Sequence, residues 1–203
     1  MTSEGASALE LIEERTWKEL RRGGFPLQAK ASGCRVISEN EAEIPFLKRR
    51  YRVNGERPDI RAVGREEASA SRRVLILRYL LGAKRLGLTF KRVGLGDIAR
   101  NSRLLVSFHR QVIRPIVKEF SDDPKKLRSR GEALGGIQQP LGDASVTLFP
   151  FPRTPVTFAI WRGDEKHPAE AQVMFDSSIA AQLRPGEVLL LARETLKELL
   201  KEV

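Results

Sequence analysis

Carboxylates and an imidazole gather in this sequence wherever a run of alternating residues breaks between Gly142 and Ser178: Asp143, Asp164, Glu165, His167 and Asp176. Groups of these types held at one rim could ligate a hard or borderline metal ion, or divide acid and base work between groups of unequal pKa. The same residues also make ordinary turns. Gly142-Asp143 is turn chemistry, and Asp176-Ser177-Ser178 has the form of an Asx turn or helix cap after a strand. A second chemistry is written in cations. Lys48, Arg49, Arg50 and Arg52 lie beside Phe46 and Tyr51, and Lys125, Lys126, Arg128 and Arg130 share a later segment. Basic side chains interleaved with aromatics grip single-stranded nucleic acid, and a basic helix face contacts phosphates. An edge strand protected by charge and a solvated helix surface carry the same signature.

Several chemistries are absent. The chain has no nucleotide-binding Walker loop, H-E-x-x-H helix, nucleophile elbow or C-x-x-C pair. Gly94, Gly96 and Ala99 fall at a dinucleotide-binding spacing, but the segment where the ribose-binding acid belongs has a helical pattern. A single cysteine, Cys34, excludes an intrachain disulfide, a multi-cysteine zinc site and a thiolate-held iron–sulfur cluster built from one chain. No cofactor is specified, and no metal is assigned. The formal charge of +10 favours acidic partners, nucleic acid among them, and also suits the charge-rich surface of a thermophile. No apolar run is long enough to span a bilayer, and the first ten residues lack a basic segment followed by an apolar one. The expected compartment is the cytoplasm, with no membrane partner.

The elements that must position these groups follow from periodicity. Residues 142–176 read as three central strands: Ala144, Val146 and Leu148 alternate with Ser145, Thr147 and Phe149, and Val156, Phe158 and Ile160 with Thr157, Ala159 and Trp161. Ala171, Val173 and Phe175 make the third. Apolar groups on both faces predict a sheet covered on at least part of each side. Upstream, Ser7 and Glu10 have capping-box spacing before a helix from about Ala8 to Arg21, within an N-terminal helical region 1–24. Residues 34–53 predict short strands at Arg35 to Ser38, Ala42 to Leu47 and Arg49 to Val53, and Gly55 to Glu66 predicts a loop.

Residues 68–134 predict a helical region. Ala68 to Arg85 is apolar most of the way round the wheel and belongs in the middle of the domain. Leu88 to Val93 is a candidate strand. From Arg103 to Phe120 an apolar stripe recurs every four residues, with Pro115 expected to kink the helix or split it in two and His109 placed in the apolar arc as a core histidine. Asp123-Pro124 caps a basic helix, and 186–203 forms a C-terminal helix with a leucine stripe.

Gly142-Asp143, Phe149-Pro150, Pro155-Val156, Trp161-x-Gly163-Asp164-Glu165 and Phe175-Asp176-x-Ser178 together resemble an uncharacterised domain-of-unknown-function family of anaerobic, often thermophilic, bacteria and archaea. Ser32-Gly33, Phe46-Leu47, Tyr51-x-Val53, Leu77-x-Tyr79-Leu80-Leu81 and Leu134-Gly135-Gly136 fit in the same order, so the resemblance spans nearly the whole chain. It adds Trp161 and Ser178 to the candidate ligand-binding residues. Some members of that family carry a cysteine-rich iron–sulfur module, which implies a place in anaerobic metal or corrinoid cofactor metabolism. This chain lacks that module, and it has Lys166-His167 where the family usually has an acidic-aromatic pair.

The expectation is a single α+β domain, a mostly antiparallel sheet packed on the helices of Val74, Leu104 and Val188. Its function reads as a binding or accessory domain, without a catalytic set, that takes a small ligand or protein partner near Asp164 and Asp176. The rivals are a nucleic-acid binder using the two basic segments and a metal-dependent enzyme using the acidic cluster.

Overall fold

Alternation of buried residues builds the first sheet. The computed structural model describes residues 3–57, 59–64 and 67–201. Helices α1 (Ser3–Gly23) and α2 (Phe25–Ala31) lead into β1 (Arg35–Ser38), β2 (Glu41–Phe46), β3 (Arg49–Asn54) and β4 (Asp59–Ala62), an antiparallel meander in chain order. Ala42 pairs with Val53 and Ile44 with Tyr51, so apolar side chains from neighbouring strands meet on one buried face.

Three expectations change here. β4 lies inside the span expected to be a loop: its single buried apolar residue, Ile60, is too little periodicity to read, and pairing with β3 (Val53 to Ile60) supplies the strand. α1 already runs from Ser3, so Ser7 lies within the helix rather than at its cap, and the Ser7 side chain is outside the described residues. α2 is short and opens after Gly24, at φ 79, with Pro26 in its first turn; seven residues carry too little pattern to announce a helix.

The central helix is α3 (Ala70–Gly82), capped by Ser69, whose hydroxyl accepts from the Arg72 N–H. It packs between α1 and α8 (Pro185–Leu199). Its buried Tyr79 donates to the Ser32 carbonyl at 2.6 Å and stacks on Phe151 at 4.2 Å. Phe151 meets Phe46 edge-on at 5.3 Å, and the Arg72 guanidinium lies 3.8 Å over the Phe46 ring. This column joins the meander, α3 and the second sheet. Arg72 also lies within 3.2 Å of Glu194 and 3.0 Å of Glu198 on α8, in a buried cluster completed by Ser71 and the Tyr51 hydroxyl.

The central strands belong to a separate antiparallel sheet. It contains β5 (Arg92–Val93), β6 (Ile137–Gln138), β7 (Ala144–Leu148), β8 (Val156–Trp161) and β9 (Glu170–Asp176), in the order β5-β9-β8-β7-β6. The fold is α+β, with two sheets where one was expected. All of β7 and all but the last residue of β8 are buried, as apolar groups on both faces require. Only Arg92 and Val93 of the expected Leu88 to Val93 strand pair with β9.

Between the sheets' strands run α4 (Leu95–Ile98), α5 (Ser102–Phe108), a π-turn (His109–Ile113), α6 (Arg114–Phe120) and α7 (Pro124–Ala133). Pro115 opens α6, and the wider π-turn before it moves away the carbonyl that the proline ring would strike. That turn also rotates His109 off the buried stripe of Phe108, Val112, Ile116 and Phe120, so the histidine is exposed rather than in the core. α7 and α6 make the main helix contacts with the second sheet and α4 touches β9, whereas α3 packs chiefly on α1, α2 and α8. α7 is basic outside yet buries Leu127, and it approaches β7 so closely that a Cβ on Gly131 would lie 2.6 Å from Val146. Among the described residues no helix is long and apolar enough to cross a membrane.

Candidate functional site

Strand direction separates the acidic residues into two groups. Trp161 at the end of β8 pairs with Glu170 at the start of β9, and the Asp143 N–H donates to the Ile160 carbonyl, so Asp143, Trp161 and the β8–β9 turn share one end of the sheet. Asp176 ends β9 opposite Arg92, with Ser178 just beyond it. The length of β9 puts about 20 Å between the two ends. The five groups do not share a rim.

At the first end the carboxylates are used within the chain. Asp143 Oδ2 accepts from the Arg162 N–H at 2.8 Å, and the Asp143 carbonyl accepts from Arg128 at 2.5 Å. Asp164 Oδ1 accepts from the N–H groups of Lys166 at 2.8 Å and His167 at 2.7 Å, and the His167 ring nitrogen Nδ1 stands 3.2 Å away. Those backbone donors, Lys166 first, lower the Asp164 pKa. Asp164 and His167 are mostly exposed, Glu165 is exposed, and the geometry is that of a hairpin turn. Among the described residues no group of three or more His, Cys, Asp or Glu side chains could hold a metal ion.

The other end is built differently. Asp176 is buried, and its Oδ1 accepts from the Thr89 N–H at 3.1 Å, the Thr89 hydroxyl at 2.9 Å and the Ser178 N–H at 3.0 Å. Oδ2 accepts from the Phe90 N–H at 2.7 Å. Burial alone would raise this carboxyl; the donors of Ser178 and Thr89 outweigh it and bring the pKa down to about 2. One anion thus organises the whole Thr89–Lys91 turn.

That turn carries strain. Phe90 sits at φ 58, in the left-handed region, at a cost of about 1–2 kcal/mol for a residue with a Cβ. The residue is 87% exposed, so burial does not offset the strain. The Asp176 bond to its N–H does. A bulky residue kept in that conformation marks a place where structure is over-determined.

Beside Phe90 opens a cavity of about 430 Å³, walled by Leu88, Phe149 and Pro155, with Arg92 and Gln139 above and Thr147 and Thr157 on its floor. Thr147 and Thr157 are cross-strand partners whose hydroxyls lie 2.8 Å apart. The Arg92 guanidinium donates to Gln139 Oε1 at 2.6 Å. Phe90, Arg92, Gln139 and the threonine pair were not among the residues the sequence singled out. Alternation put Thr147 and Thr157 on the second face of their strands; only the register places them opposite one another, and nothing local announces the Phe90 backbone.

The basic residues lie on two elements, β3 with the turn before it and α7. Arg49 lies 3.3 Å from Glu198 and Arg50 3.4 Å from Glu43, while Arg52 faces Arg61 across β3 and β4. Arg130 pairs with Glu119 at 2.8 Å and covers the Phe120 ring. Lys48 is exposed beside β3, and Lys125 and Lys126 are exposed on α7.

A family model described as Domain of unknown function (DUF3786) matches residues 25–197. No curated protein and no solved structure matches the chain.

Proposed function

We propose that this chain, which belongs to the DUF3786 family, is a binding domain that takes a small ligand in the trough over Thr147 and Thr157. One observation carries the reading: an exposed Phe90, held in a strained conformation by a buried carboxylate, at the mouth of a cavity. The lining supports a flat, partly apolar ligand with an anionic or acceptor group. Phe90, Phe149, Leu88 and Pro155 offer apolar surface, Arg92 a cation, and the threonine pair and Gln139 directional hydrogen bonds.

A binding role suits this set better than catalysis. Asp176 is the carboxylate in the lining, and its oxygens are occupied by four donors that favour the ionised form, which makes it a poor base. A setting in anaerobic metal or cofactor metabolism is supported by the resemblance of the Trp161 to Ser178 signature.

The test is a fragment screen followed by amide chemical shifts. Hits containing an aromatic carboxylate should perturb Thr89, Phe90, Arg92, Gln139, Thr147 and Thr157 together. Phe90→Gly relaxes the backbone and should abolish those shifts with the fold intact, while Asp164→Ala leaves them unchanged. Hits that gather at the Asp143 and His167 end, or that survive Phe90→Gly, overturn the proposal.

A further inference from the structure

A second concavity, of about 650 Å³, runs along the π-turn and α6 to Ala169, away from the trough. Its floor is aliphatic: Ile113, Pro115 and Val117 are partly buried. Along its side stand Arg110, Arg114 and Lys118, one every fourth residue and all exposed. Like charges at that spacing oppose helix formation. None of the three side chains has a hydrogen-bond or ion-pair partner among the described residues, whereas Arg50, Arg72, Arg73, Arg78 and Arg130 each pair with a glutamate. The π-turn beside them is a second local cost, and such turns often accompany functional positions.

We infer that this groove docks an acidic amphipathic helix of a partner protein. An aliphatic floor bordered by a regular row of cations complements a helix whose apolar stripe is flanked by glutamates at the same four-residue spacing. Nucleic acid fits less well, because the lining offers one small ring, the His109 imidazole, where a strand needs a succession of aromatic platforms, and the floor is otherwise aliphatic. The inference is independent of the trough, which lies on a different face of the second sheet's neighbourhood and shares no lining residue with it.

The test uses a fluorescein-labelled synthetic helix of about five turns, with leucines at alternating three- and four-residue spacing and a flanking glutamate row. A peptide of the same composition in scrambled order and a labelled oligothymidylate serve as comparisons. Anisotropy titrations should show binding of the ordered peptide that weakens about tenfold or more both in the scrambled peptide and in the combined variant Arg110→Glu, Arg114→Glu, Lys118→Glu. Circular dichroism checks that variant's fold, and Arg114→Ala alone should weaken binding about two- to fivefold. Equal affinity for the scrambled peptide, unchanged affinity in the combined variant, or preferential binding of the oligothymidylate through these cations overturns the inference.

Discussion

Arg92 and Gln139 stand at opposite edges of the five-stranded sheet, yet Arg92 Nη2 donates to Gln139 Oε1 at 2.6 Å. Four strand spacings would hold those edges about 19 Å apart on a flat sheet, farther than the two side chains can reach. The sheet therefore curls around the face that carries Ser145, Thr147, Thr157 and Ala159, and all of these are buried. An open sheet becomes a trough through one side-chain bridge between its edges, and the edge strands it ties down are only two residues long each.

Arg92→Ala and Gln139→Ala should each loosen the trough with little loss of global stability. The bridge is exposed, so each substitution is expected to cost at most about 1 kcal/mol in urea unfolding. Amide exchange at Val93 and Gln138 should accelerate about tenfold in either variant. The double variant should add nothing beyond the single ones, since both remove the same contact. Unchanged exchange at the two edges would show that the curl does not depend on this bond.

Asp176→Asn should destabilise the protein by about 2 kcal/mol at neutral pH, because it replaces a charged acceptor of backbone and hydroxyl donors by a neutral amide that itself carries donors. The pH dependence has a definite sign. The folded pKa of about 2 lies below the unfolded value of about 3.9, so the carboxylate's contribution is complete above the unfolded pKa and disappears as pH falls from about 4 to 2. Chemical denaturation of wild type and variant at several pH values should give a gap that is constant above pH ~5 and narrows as pH falls from ~4 toward ~2. A gap independent of pH would remove the role assigned to the charge.

Arg72→Met should cost about 3 kcal/mol by taking from buried Glu194 and half-buried Glu198 the cation they share, leaving them only Lys197, Lys201 and Arg49 at the rim. Burial works against both carboxylates; in the wild-type protein Lys197, Ser71 and Arg72 reverse this for Glu194, and Arg72 and Lys201 for Glu198, so both pKa values are lowered. Protonation relieves a carboxylate that has lost its buried cation, so the loss in Arg72→Met should shrink as pH falls through the carboxylate range. Adding Glu194→Leu should recover much of the stability, which urea unfolding of the double variant measures directly.

The elements with long regular patterns were legible, as were the short strands β1, β2 and β3, while several of the other short elements were not. Val74 to Leu80 and Val188 to Leu199 repeat apolar residues over several turns within one helix each, and Phe108 to Phe120 keeps its stripe buried from the end of α5 through the π-turn and α6. The alternation of Ala144 to Leu148 and Val156 to Trp161 likewise appears as paired strands. α2, β4, β5 and β6 offer between two and seven residues each, too few for a period to rise above chance, and they form because neighbours complete their hydrogen bonds. The candidate site was half legible for a related reason. Asp176 and Ser178 were visible as a strand-ending turn, but their assignment to one rim with Asp164 ignored that antiparallel strands put successive turns at alternate ends.

Residue type and period determined the helices, the central strands, the cationic surplus and the α+β class, because each depends on neighbours a few positions away. Tertiary structure decided the division into two sheets, the curl that brings Arg92 to Gln139, the facing of Thr147 and Thr157, and the strained backbone of Phe90 beneath the reach of Asp176. Those features join residues ten to eighty-seven positions apart. A contact over that distance is set by how whole elements pack, and no local pattern of side chains encodes it.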